Sequence, residues 1–75
     1  MTRTKFPSDL GQLLRLAREL KGFSLRELDK RSGVPHAAIS QIETGHIKEP
    51  SFRSVVKLAR ALNIHVERIA DMIGE

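Results

Sequence analysis

The chain has 75 residues, 40% of them hydrophobic and 29% charged, so it is expected to fold as one small domain rather than stay disordered. It contains no cysteine, which excludes disulfides and cysteine-ligated zinc, and it shows neither an apolar run long enough to span a membrane nor the apolar core of a signal peptide. A net charge of +4 favours a polyanionic partner, and the pattern as a whole is that expected of a cytoplasmic protein.

Helical periodicity dominates the chain. The first predicted helix begins near Asp9, with Ser8 as its N-cap, and ends at Lys21 before Gly22. Its apolar residues recur at spacings of three and four, which predicts one buried stripe made of Leu10, Leu13, Leu14, Ala17 and Leu20.

Residues 1–8 form a basic segment ahead of this helix, and residues 9–75 are expected to form the domain. Arg3 and Lys5 lie in the segment, which Pro7 separates from the helix. It is either a disordered start or an arm that contacts phosphate or the minor groove of DNA.

A second helix is predicted to begin after Ser24, because Glu27 three residues later completes a capping box. It ends near Ser32, since Gly33 can adopt the left-handed conformation that a sharp turn requires. The second helix is thus expected to run directly into a tight turn.

Pro35 and Gly45 bound a short third helix. Its buried side is predicted to be formed by Pro35, Ala38, Ile39 and Ile42. Such a short helix needs tertiary contacts, so Ile39 and Ile42 should dock it on the second helix. Two short helices joined by a glycine-containing turn are a helix-turn-helix arrangement.

Two further helices complete the prediction. Ser51 is the expected N-cap of a fourth helix and Asn63 its C-cap. A last short helix is expected over residues 66–73, and the fold class is therefore an all-α bundle of five helices. The predicted apolar side of the fourth helix consists of Val55, Val56, Leu58, Ala59 and Leu62.

The outward side of the third helix has the chemistry of a surface that contacts base edges in the major groove. Gln41 can pair with adenine in bidentate fashion, and Ala37 can contact a thymine methyl group. Ser40 and Thr44 can bond to a base or a phosphate. An ordinary solvated helix face is the alternative; the glycine turn, the capped preceding helix and the basic flanks favour DNA recognition instead.

The remaining polar residues indicate binding rather than catalysis. Arg26, Lys48 and Arg53 flank the third helix and are predicted to contact phosphate. The three histidines have no metal-ligand spacing and no accompanying nucleophile or acid cluster, so we expect no metal, no cofactor and no enzyme activity.

Three stretches together resemble the Cro/repressor-type (XRE) helix-turn-helix family: LGQLLRLARELKGFSLREL, SGVPHAAISQIETG and EPSFRSVVKLARALNI. The likeness covers roughly residues 10–69 in the order and spacing of the family. It implies a compact five-helix, lambda-repressor-like domain whose helix-turn-helix occupies about residues 25–44 and whose third helix enters the major groove.

The resemblance also implies roles for individual residues. Gly33, Ile39 and Ile42 would support the motif, and a salt bridge between Arg18 and Glu43 would join the first and third helices. Base contacts would come from His36, Ala37, Ser40 and Gln41. Contacts to the DNA backbone would come from Ser24 and from the stretch that contains Thr44, His46 and Lys48. They would add to the phosphate contacts predicted above for Arg26 and Arg53.

The chain departs from the family pattern at three positions. Leu25 replaces a glutamine that in the family binds phosphate, Asp29 replaces a small residue where the two helices cross, and Glu49 stands where a basic residue would favour DNA. Asp29 requires a partner or a place at an edge, and the sequence offers no account of it.

These observations predict a sequence-specific transcriptional regulator that acts as a homodimeric repressor on pseudo-palindromic double-stranded DNA, with Met72 and Ile73 at the dimer contact. The alternatives are an antitoxin or another protein-interaction module with secondary DNA binding, favoured by Leu25 and Asp29, and the controller protein of a restriction-modification system.

Overall fold

The computed structural model describes residues 6–65 and residue 67, and all its regular elements are helices. Most of the predicted last helix, with Met72 and Ile73, lies outside the described residues. Four helices follow one another along the chain: α1 (Phe6–Leu20), α2 (Leu25–Ser32), α3 (His36–Thr44) and α4 (Phe52–Leu62).

Helix α1 begins at Phe6, three residues before the predicted Asp9. Pro7 therefore lies inside the first turn rather than ahead of the helix, and Ser8 is a helical residue rather than the N-cap. The first turn tolerates proline because its missing N–H would have no partner within the helix. The prediction of a break at Pro7 is wrong for this reason.

The predicted caps of α2 and α4 are confirmed. The Ser24 hydroxyl accepts a hydrogen bond from the backbone N–H of Glu27 at 3.0 Å, and Ser51 accepts one from Ser54 in the same way. Asn63 ends α4 in the left-handed conformation. The capping box differs from the prediction, because the Glu27 carboxylate bonds to Arg31 at 2.8 Å.

The core lies where the inner sides of the four helices meet. Leu20 and Pro35 were predicted to be buried but are exposed. Leu20 lies in the last turn of α1 and lines a surface groove, and Pro35 is the N-cap residue of α3. The buried side chains are Leu10, Leu14, Leu28, Val34, Ile39, Ile42, Val55, Leu58, Ala59 and Leu62.

Helix α3 packs on α1 as well as on α2, whereas helical spacing alone predicted only the contact with α2. Gly11 of α1 makes this approach possible. A Cβ atom at this position would collide with the carbonyl oxygen of Ile42 and lie 3.0 Å from that of Glu43. The backbone of α1 therefore touches the last turn of α3 directly.

A part-buried ion pair joins the same two helices, as the family resemblance implied. Arg18 contacts both carboxylate oxygens of Glu43, through Nε at 2.8 Å and Nη2 at 3.0 Å. Its third bond goes to the carbonyl of Phe23 at 2.9 Å. The bond to Glu43 raises the pKa of Arg18 above its ordinary value, and burial opposes this rise. Arg18 thus links α1, the turn after it and the end of α3.

Candidate nucleic-acid interface

The turn between α2 and α3 is fixed by its own residues. Gly33 has a φ of 83°, which a residue with a side chain adopts only with strain, and its N–H donates to the carbonyl of Asp29 at 2.8 Å. The Ser32 hydroxyl accepts from the N–H of Val34, whose side chain is buried. Helices α2 and α3 are therefore held as one helix-turn-helix unit over residues 25–44.

Asp29, which had no sequence-level explanation, caps α3. Its Oδ2 atom accepts a hydrogen bond from the backbone N–H of His36 at 2.9 Å and lies 3.0 Å from Nδ1 of the His36 ring. The bond to the His36 side chain, followed by the bond to its backbone, lowers the pKa of Asp29 below its ordinary value. Pro35, the N-cap residue of α3, makes no side-chain capping bond, and Asp29 supplies that bond instead.

Asp29→Asn is expected to make the stability of the fold less dependent on acid pH. A carboxylate whose pKa is lower in the folded state stabilises the fold above its ordinary pKa of about 4, and this contribution disappears as the pH falls through the lowered value. The wild type should therefore lose more stability than Asp29→Asn between pH 5 and pH 2. Urea denaturation of both proteins at each pH measures the difference, and parallel pH curves would contradict it.

The outward side of α3 presents short uncharged side chains. Ala37, Gln41 and Thr44 are exposed, and Ser40 is half-buried beside them. His36 lies at the N-terminal end of the helix with 44% of its side chain exposed. The predicted base-contacting residues therefore lie on one accessible surface, which we call the recognition face: His36, Ala37, Ser40, Gln41 and Thr44.

The end of the recognition face is anchored through main-chain atoms. The carbonyl of Gln41 accepts bonds from the N–H of Ile47 at 3.0 Å and from the Thr44 hydroxyl at 3.3 Å. His46 lies 3.3 Å from that hydroxyl through Nδ1. The Gln41 side chain is exposed, and within residues 6–65 and 67 its amide makes no hydrogen bond, so it is accessible to a ligand.

The basic residues predicted to contact phosphate are exposed, and they precede and follow the recognition face in the sequence. Arg26 lies in the first turn of α2, Lys48 in the loop after α3, and Arg53 in the first turn of α4. The Ser24 hydroxyl, which acts as an acceptor in the α2 cap, keeps its O–H as a donor. Ser24 and Arg26 precede α3 in the sequence, and Lys48 and Arg53 follow it.

Arg31, by contrast, already has partners. Its Nε bonds to Glu27 at 2.8 Å, and its guanidinium lies 4.4 Å from the centre of the Phe23 ring. Arg31 therefore packs on the surface of the domain itself.

Residues 6–65 and 67 contain no cluster of three metal-ligating side chains. Within the same residues no helix is long and apolar enough to cross a membrane.

The geometry defines an all-α domain built around a helix-turn-helix, with basic residues before and after the recognition face in the sequence. A family model described as "Helix-turn-helix" (HTH_3) matches residues 14–69. The chain belongs to this family, the Cro/repressor or XRE type of DNA-binding domain, and the domain is not an enzyme.

Curated relatives share the same segment. An uncharacterized HTH-type transcriptional regulator, y4dL of Sinorhizobium fredii, is 49% identical over 73% of the chain, which corresponds to 28% of its own length. The HTH-type transcriptional regulators SlrR and SinR of Bacillus subtilis are each 32% identical over 83% of the chain, covering 41% and 56% of their lengths. The chain therefore spans about a quarter to a little over half of these relatives. No solved structure matches it significantly.

Proposed function

We propose that the protein is a cytoplasmic transcriptional regulator that binds a specific double-stranded DNA sequence through α3 in the major groove and acts as a repressor. The observation that carries the proposal is the exposed, uncharged recognition face on a helix docked firmly against the core. Its relatives are named as HTH-type transcriptional regulators, which supports the same role.

Neutral and basic side chains would have different roles in DNA binding because of their chemistry. The amide of Gln41 offers a donor and an acceptor side by side, which match N7 and N6 of adenine. Arg26, Lys48 and Arg53 supply the attraction to phosphate, which positions the protein without selecting a sequence. Ser24, Thr44 and His46 would add neutral or polar contacts to the DNA backbone.

A homodimer would place two such recognition faces on one operator. Leu16 and Leu20 have 55% and 78% of their surface exposed, and with Leu13 and Ile64 they line an apolar groove of about 330 Å³. His65 also lines this groove, and Met72 and Ile73 follow a few residues later in the chain. An apolar surface whose last lining residue precedes the predicted dimer contact in the sequence supports a two-fold dimer and a pseudo-palindromic operator.

Gln41→Ala is expected to lose discrimination at one base pair in each half-site, by about tenfold or more, because a bidentate base contact contributes about 1–3 kcal/mol. Selection of bound sequences from a random DNA pool by wild type and variant measures this directly. The wild-type pool should contain two half-sites about one DNA turn apart.

Lys48→Ala is the matched control, because it should weaken binding to all sequences alike and reduce the salt dependence by about one phosphate contact. Identical sequence preferences in Gln41→Ala and wild type would contradict the assignment of α3 as the recognition helix.

The structure weakens the best support for a module that mainly binds a protein partner and binds DNA secondarily. That support came from Leu25 and Asp29. Leu25 is half-buried and packs against the core, and Asp29 caps α3. Both departures from the family pattern thus have an explanation within the domain itself.

A further inference from the structure

Asp29 does more than cap the backbone of α3, because it also contacts the His36 ring. Both contacts use the same oxygen, Oδ2, at 2.9 Å from the backbone nitrogen and 3.0 Å from Nδ1. A cap alone needs only the first of these bonds. The second holds the imidazole at the N-terminal end of the recognition face.

The contact determines which ring nitrogen carries a proton. An ionised carboxylate can only accept hydrogen bonds, so Nδ1 of His36 must be the donor. Since the pKa of Asp29 is lowered, this carboxylate is ionised at neutral pH. In the neutral imidazole, Nε2 is then left without a proton and is a hydrogen-bond acceptor.

We propose that Asp29 is a positioning residue for sequence recognition: it fixes the His36 ring so that Nε2 presents an acceptor to the major groove. The inference rests on the proposed function, in which His36 contacts a base edge. In that groove cytosine and adenine present amino groups as donors, whereas guanine presents only acceptors. The neutral His36 ring would therefore favour cytosine or adenine over guanine at the position that it contacts.

The ring state can be tested without DNA. Nitrogen-15 NMR of the free protein distinguishes the two neutral imidazole tautomers by their ring shifts. In the wild type, the neutral His36 ring is expected to carry its proton on Nδ1, and Asp29→Ala should lose this preference. A ring protonated on Nε2 in the wild type would overturn the proposal and leave the proposed function untouched.

The expected effect of Asp29 on base preference is tested by measuring DNA binding in a double-mutant cycle of Asp29→Ala and His36→Ala. Binding is measured with operators that differ from one another at a single base pair. The pair at which His36→Ala loses the base preference of the wild type is the one that His36 contacts. Asp29→Ala is expected to reduce that preference about tenfold when His36 is present, and to change it little when position 36 is alanine. Loss of the cap alone would weaken binding to all operators equally in both backgrounds.

The variant Asp29→Asn distinguishes an effect on the position of the His36 ring from an effect on the folding of the domain. The amide Oδ1 can occupy the place of Oδ2 and accept the same two bonds, so this variant should keep the base preference that Asp29→Ala loses. If Asp29→Ala keeps the preference, or if His36→Ala loses none at any base pair, the proposal is overturned. The Gln41→Ala result then shows separately whether the recognition helix itself is assigned correctly.

Discussion

Gly11→Ala is expected to lower the free energy of unfolding by about 3 kcal/mol, the upper end of the usual range for an overpacked site. Alanine is the better helix former by about 1 kcal/mol, so an isolated α1 would gain stability from the same change. The clash with the carbonyl oxygens of Ile42 and Glu43 outweighs that gain, because backbone atoms cannot rotate away as a side chain can. Only a shift of α1 from α3 relieves it.

The measurement is urea denaturation followed by circular dichroism, with Gln12→Ala as the matched control. Gln12 is the next residue of α1 and is exposed, so its substitution should change stability by no more than about 0.5 kcal/mol. Because Gly11 contacts the last turn of α3, Gly11→Ala should also weaken DNA binding at temperatures where the variant is folded. A variant as stable as the wild type, or more so, would show that α1 and α3 do not approach as closely as described.

Local signals were sufficient to predict most helix ends and the core. Ser24, Ser51 and Asn63 determine helix ends through bonds or backbone conformations within a few residues, and the structure confirms each of them. Buried positions such as Ile39 and Leu58 follow from helical spacing alone. Such signals are encoded entirely within one helix and its flanks.

Contacts between helices could not be derived in this way. Asp29 appeared anomalous because its partner, His36, lies in the next helix, and Gly11 showed no role until α3 was placed against it. The start of α1 was also missed, since Pro7 is compatible both with a break and with a first helical turn. Base-contacting roles remain predictions, because exposure on α3 shows access to a ligand and does not show the bound base.

The pair formed by Arg18 and Glu43 holds α3 against α1, and breaking it from one side should be costly. The two side chains are only 13% and 5% exposed. Arg18→Met leaves the Glu43 carboxylate buried without its cation and removes the donor to the carbonyl of Phe23. The expected loss is about 3 kcal/mol of unfolding free energy, the lower end of the range for a buried pair broken from one side.

The double variant Arg18→Met with Glu43→Leu removes both charges together. Its cost should be smaller than the sum of the single variants by about 2 kcal/mol, because no unpaired charge stays in the interior. Arg15 and Glu19 provide a matched pair on the same helix, with a bond of 3.1 Å and side chains 60% and 52% exposed. Arg15→Met should cost at most about 0.5 kcal/mol, because water already solvates both of these charges.

DNA binding distinguishes a pair that orients α3 from one that only stabilises the fold. At a temperature where each variant is folded, Arg18→Met should bind its operator more weakly than Arg15→Met, although both lose one positive charge of the same helix. The comparison therefore holds net charge constant and varies only the link to α3. Equal binding by the two variants would mean that Gly11 and the apolar contacts of Ile39 and Ile42 orient α3 without the ion pair.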